Sequence, residues 1–172
     1  RLNNSQTKSI KPAGVNCKTN AVEAQNPNNM RETRPPVVID TNILFSALLR
    51  EPSRFVNLIF QSEYDFYICE YVIVELFKHK DRLVKQSKLS EDDLLRLLYR
   101  LLKRLNIYPE RLIKPSFLSE AQNLCAPIDV NDTVHVALTL ALEGRLWTGD
   151  RTLVDGLRQQ GIDIFFTPPA SG

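Results

Sequence analysis

The sequence predicts an α/β fold in which a short, mainly parallel sheet carries helices on both faces, and three observations support this. Apolar runs of two to five residues (Val37 to Ile39, 66–69, Leu146 with Trp147, 162–166) alternate with longer stretches of helical periodicity. Strands that alternate with helices require crossover connections, which are right-handed and build parallel sheets. Acids and turn formers stand directly after several of the strand candidates, where such sheets collect their ligands. Finally, 172 residues with 43% hydrophobic and 24% charged side chains suffice for one core. Collagen-like, mucin-like and wholly disordered chains are excluded.

Taken in order, Pro35 and Pro36 impose an extended approach to the β-branched run Val37, Val38 and Ile39, which reads as a buried strand ending at Asp40. Residues 43–49 and 54–61 have helical spacing, with Pro52 and Ser53 marking the break between them. Residues 66–69 are a second strand. From Tyr71 to Lys88, Val72, Leu76, Leu83 and Val84 recur at helical intervals among basic residues, predicting one amphipathic helix. Ser90 followed by Glu91, Asp92 and Asp93 is a capped helix start, and the leucine stripe through Leu94, Leu98, Leu101 and Leu105 continues that helix. A loop containing Pro109 and Pro115 leads to a helix near 117–125. Another helix runs from Asp132 to Glu143 and is ended by Gly144. Leu146 and Trp147 form a strand, 151–158 a short helix, and Ile162 to Phe166 a last strand.

Charge is unevenly placed. The formal net charge is +2, but residues 1–29 hold four bases against one acid, leaving 18 bases against 19 acids from Met30 onward. Bulk charge therefore gives no argument for nucleic-acid binding, and any phosphate-binding surface must be local. Met30, the sole methionine, stands where polar, Asn-rich sequence gives way to apolar runs. Residues 1–29 accordingly read as a disordered leader or non-native extension, with a basic RNA-holding arm as the rival, and residues 30–172 as a single domain. Cys17, Cys69 and Cys125 are odd in number and widely spaced, which argues for reduced thiols and against a disulfide framework or zinc knuckle. No apolar run is long enough to span a bilayer, so the expectation is a cytoplasmic protein without membrane contact.

Asp40 follows the first strand and Asp150 the strand containing Trp147, so both carboxylates emerge at one edge of the sheet. Asp132 opens an apolar helix, and Glu75 lies soon after the second strand. Carboxylates gathered without bases repel one another unless a cation lies between them. Hard oxygen donors with open positions suit Mg²⁺ or Mn²⁺, and the chemistry that follows is metal-assisted phosphodiester hydrolysis. Each acid also has a plain reading. Asp40, Asp132 and Asp150 are placed to cap helices, and Glu75 to face a helix dipole or pair with Lys78 or His79.

The segments Val38-Ile39-Asp40-Thr41-Asn42, Val74-Glu75-Leu76, Asp129-Val130-Asn131-Asp132 and Leu146-Trp147-Thr148-Gly149-Asp150 together resemble the PIN-domain nucleases, over residues 36–167. Glu75 to Lys80 and the helix start Lys88-Leu89-Ser90 look like the VapC-related bacterial branch. The resemblance implies a PIN-like, Rossmann-like three-layer fold with about four or five parallel strands. It implies an Mg²⁺- or Mn²⁺-dependent endoribonuclease acting on single-stranded or structured RNA, a toxin of a toxin–antitoxin system. Asp40, Glu75, Asp132 and Asp150 would be the catalytic, metal-binding quartet, with Asn42, Thr148 and Asp129 in support. Toxin relatives are often homodimers and are silenced by a small antitoxin protein.

Rivals are weaker. Asp-Thr-Asn also resembles the haloacid-dehalogenase phosphatases, which need a second Asp where this chain has Asn42. There is neither a P-loop nor a Gly-x-Gly-x-x-Gly segment. His79 and His135 are the only histidines, and His135, in an apolar helix, reads as packed rather than zinc-bound. The rival from another class is a catalytically silent PIN-fold module that binds RNA or protein through the basic residues between Lys78 and Arg104.

Overall fold

The computed structural model describes residues 35–49 and 53–169. The leader assignment, the start at Met30, Cys17 and the break at Pro52 lie outside the described residues. Fourteen elements follow one another: β1 (Val37–Ile39), α1 (Thr41–Leu49), α2 (Arg54–Gln61), β2 (Phe66–Cys69), α3 (Tyr71–Lys78), α4 (Lys80–Gln86), α5 (Glu91–Arg104), β3 (Asn106–Tyr108), a 3-10 turn (Glu110–Leu112), α6 (Pro115–Cys125), a second 3-10 turn (Val130–Asp132), α7 (Thr133–Ala141), β4 (Arg145–Trp147) and α8 (Arg151–Gln159).

The four strands form one parallel sheet in the order β3-β2-β1-β4. Val37, Val38 and Ile39 are all fully buried. Successive strand residues point to opposite faces, so three buried in a row require cover on both sides. That cover comes from two helix groups. α7 lies on β1, β2 and β4 with α6 packed on α7, while α1 to α5 pack together as a second group in which α3 meets β2 and α5 meets β3. The chain is thus α/β, with a short parallel sheet flanked by helices.

Four sequence expectations need correction. Residues 106–108, expected in a loop, are β3, an edge strand. Its residues are exposed or half-buried, so no apolar run marks it. Residues 162–166, expected to be a strand, form only a single parallel bridge between Phe165 and Leu146, since the segment bonds to β4 through Leu146 alone (Leu146 N–H to Ile164 O, 2.7 Å, and Phe166 N–H to Leu146 O, 2.8 Å). The helix expected over 71–88 is two helices meeting at His79. The expected helix 132–143 begins as a 3-10 turn and becomes α-helical only at Thr133.

The end of α7 also differs in mechanism. Gly144 N–H donates to Thr139 O (2.9 Å) and Glu143 N–H to Leu140 O (3.1 Å), the paired bonds of a Schellman motif. The left-handed residue is Glu143, at φ 50°, and not Gly144. Gly144 serves a close approach instead, since a Cβ there would stand 2.5 Å from Pro36 O.

Candidate active site

Strand order turns the sheet into a site. From β1 the chain builds β2 and β3 to one side, then crosses back to lay β4 on the other side. The order therefore reverses between β1 and β4, and open α/β sheets bind ligands at such a point, outside the carboxyl ends of the strands. Asp40 leaves β1 there, and its N–H donates to Trp147 O (3.0 Å), which aligns it with the end of β4.

Asp40 is buried, 3% exposed. Its Oδ1 accepts from Asn42 N–H (3.1 Å), the capping contact expected at the start of α1, and its Oδ2 accepts from Thr148 Oγ1 (2.6 Å). The same Thr148 oxygen accepts from Asp150 N–H (3.0 Å). One hydroxyl thus fixes both the Asp40 carboxylate and the backbone at Asp150. Asp150 caps α8, its Oδ1 accepting from Thr152 N–H (2.7 Å) and Leu153 N–H (3.1 Å), and its Oδ2 takes no part in the cap. Glu75 Oε2 accepts from the Thr41 hydroxyl, which ties α3 to the residue after Asp40.

Asp132 differs from the others. It precedes α7 but makes no side-chain cap bond, so the plain explanation for an acid at a helix start does not apply to it. Its carboxyl pKa is pushed up from 3.8 to about 7, first by burial and then by the charges of Asp40, Asp129, Asp150 and Glu75. All the predicted acids therefore bear on one carboxyl. Asp129 is exposed and caps the 3-10 turn through Asn131 N–H (2.9 Å), so it contributes its charge from the rim. Asn42 is exposed, and its contact with the cluster is through backbone rather than its amide.

Two contributors escaped sequence reasoning. Thr41 lies inside the Asp-Thr-Asn motif but carries no charge, and only the fold shows it meeting Glu75. Glu110 stands two residues after β3, where an acid counts as a candidate, but β3 itself was not recognised. Its Oε1 accepts from Tyr71 N–H (2.6 Å) at the start of α3. His135 is buried, with Nε2 4.0 Å from Asp40 Oδ1 and Nδ1 without a hydrogen-bond partner. Burial pushes its pKa down against the pull of Asp40, Glu75 and Glu110.

The donor set consists of carboxylate and hydroxyl oxygens, the chemistry preferred by hard divalent cations. Among the described residues no three His, Cys, Asp or Glu side chains close around a single point.

Comparison with known proteins agrees with the fold. A family model for the PIN domain matches residues 38–164. No curated protein matches the chain. Similar solved structures include VapBC2 from Rickettsia felis bound to a DNA fragment from its promoter, with 21% identity and a TM-score of 0.51, covering 66% of this chain and 87% of that one. PAE2754 from Pyrobaculum aerophilum is similar at 13% identity and a TM-score of 0.52, covering 73% of this chain and 92% of that one. At these identities the likeness is one of fold.

Proposed function

The chain belongs to the PIN-domain family, in general one of metal-dependent nucleases, and on that premise we propose that it is an Mg²⁺- or Mn²⁺-dependent endoribonuclease of single-stranded RNA. The observation that carries this is Asp132, a half-buried carboxyl that caps nothing and lies within the electrostatic reach of four other acids. A fold gains no stability from such an arrangement, whereas a cation site requires it. A divalent ion bound there supplies an activated water and offsets charge on the leaving oxygen.

The chain's own residues do the positioning. Thr148 holds Asp40 and Asp150 in fixed relation, and Thr41 aims Glu75 from the next element. Asp40, Glu75, Asp132 and Asp150 are the proposed ligands, with Asp129 adding charge at the rim. The proposed biological setting is the toxin half of a toxin–antitoxin pair, whose partner is a small antitoxin protein. An apolar groove of about 180 Å³ between α1, α3, α4 and α5 supports such a partner, with Phe77 74% and Leu95 50% exposed at its walls.

The test is cleavage of a labelled single-stranded RNA pool by identically purified wild-type and Asp40→Asn protein, with Mn²⁺ and with EDTA. Cleavage that needs the metal and vanishes in the near-isosteric variant is the expected result. The alternative is a catalytically silent PIN-fold module that binds RNA or protein. It predicts no cleavage in any lane, and RNA binding equal or tighter once the acids are neutralised.

A further inference from the structure

We propose that a cleft beside the acid cluster seats one unstacked nucleobase of the RNA, next to the bond that is cut, and prefers bases carrying an exocyclic amine over uracil. The inference deepens the endoribonuclease reading and rests on it. The cleft has a volume of about 620 Å³, within the range of small-ligand pockets. It lies between the start of α3, the 3-10 turn after β3 and the 3-10 turn before α7, and its walls include Glu70, Tyr71, Val74, Glu110, Val130 and Asn131. Val74 adjoins Glu75, and Asn131 adjoins Asp132, so cleft and acid cluster are built from the same two segments.

Its composition matches a base rather than a phosphate. Tyr71, Val74 and Val130 are 42%, 46% and 60% exposed, three large apolar side chains left in water along one recess. Unpaired RNA bases are recognised by aromatic stacking together with hydrogen bonds to their edges. Lys78 Nζ lies 5.1 Å from the Tyr71 ring centroid and also donates to its hydroxyl (2.9 Å). The Asn131 amide is exposed and makes no side-chain hydrogen bond among the described residues.

The polar atoms set the preference. Glu110, half-buried, commits Oε1 to Tyr71 N–H and leaves Oε2, and Glu70 adds a second, exposed carboxylate. Carboxylates only accept, so they favour the amines of cytosine, adenine and guanine and repel the carbonyl oxygens of uracil.

The experiment sequences the ends produced from a random single-stranded RNA pool, in Mn²⁺, by wild type, Tyr71→Ala, Tyr71→Phe and Glu110→Gln. Wild type is expected to deplete uracil about tenfold at one position adjoining the cut, the scale of one base-specific contact. Tyr71→Ala should flatten that preference, Tyr71→Phe should keep it, and Glu110→Gln, whose amide still accepts from Tyr71 N–H, should admit uracil. Melting curves establish that each variant is folded. Cleavage without positional preference, or a preference unchanged in folded Tyr71→Ala, overturns the base cleft while the nuclease stands. In parallel, binding of labelled oligo-A, oligo-C and oligo-U is measured without added metal. Tighter binding of oligo-A and oligo-C that is lost in Tyr71→Ala, with no cleavage by any protein, supports the cleft and overturns the nuclease reading.

Discussion

Single side chains decide the chemistry here, and Asp132 is the most informative. Its carboxyl binds a proton more tightly in the folded chain, near pKa 7, than the 3.8 of an ordinary Asp. The stabilising contribution is therefore whole below about pH 4 and is lost as pH rises through 7. Metal-free wild type should lose melting temperature over that interval, and Asp132→Asn should lose less and melt higher than wild type at pH 8. Mn²⁺ should raise the wild-type melting temperature more at pH 8 than at pH 5, because binding must displace the proton. The variant should show little response to Mn²⁺, and an equal rise in both proteins would remove Asp132 from the ligand set. Thr148 acts one step back. Thr148→Val keeps the shape but leaves a buried Asp40 oxygen without its donor, which should cost about 1–3 kcal/mol in denaturant unfolding. Cleavage should fall with it, while Ser, retaining the hydroxyl, should preserve most of the activity.

At the level of elements, what was legible followed from patterns that need no tertiary partner. The strands at 37–39 and 66–69, the Ser53 start of α2, and the Ser90 cap of α5, with Asp93 N–H donating to Ser90 Oγ at 3.1 Å, all follow from local rules. β3 was illegible because an exposed edge strand of three residues is defined by its neighbour β2, which the sequence does not display. The break at His79 was hidden because the apolar spacing runs on through it. The acids at Asp40, Glu75, Asp132 and Asp150 were visible, but the division between Asp40 and Asp150, which cap, and Glu75 and Asp132, which do not, required coordinates. The Schellman end of α7 gives this level its own prediction. Glu143 holds a left-handed conformation that disfavours a side chain with Cβ, so Glu143→Gly should stabilise by about 1 kcal/mol. Gly144→Ala, one residue on, should destabilise by about 1–3 kcal/mol, because Pro36 O is fixed by Arg145 N–H at 2.8 Å and cannot yield. The opposite order in thermal melts would contradict the assignment of the two roles.

For the molecule as a whole, stability and the proposed substrate binding are drawn from different surfaces. Trp147 packs against Phe55, Phe66 and Phe166, which anchors the end of β4 in an aromatic cluster beneath the site. Cys69 and Cys125 are free and buried, and burial first pushes the Cys125 thiol up to about 11, so neither offers a reactive thiolate near neutral pH. Among the described residues no helix is long and apolar enough to cross a membrane. The basic residues of α4 and α5 are largely occupied. Lys80 pairs with Glu91 (2.9 Å) and Arg96 with Asp93 (3.7 Å), Arg82 and Arg100 lie over Phe45 and Phe60, and Arg104 donates to Ser62 O (3.0 Å) and Tyr64 O (2.8 Å). RNA held chiefly by a metal-bridged phosphate and a base in a cleft releases few counterions. Each phosphate neutralised by a cationic side chain adds about −0.7 to the slope of log affinity against log salt, so Asp40→Asn protein should show a slope shallower than about −2 on single-stranded RNA. Fluorescence anisotropy at fixed Mn²⁺ and varied KCl measures it. A slope steeper than about −4 would mean that the basic helices carry the RNA backbone after all. In that case charge reversal at Lys85 and Lys88 should weaken binding more than Tyr71→Ala does.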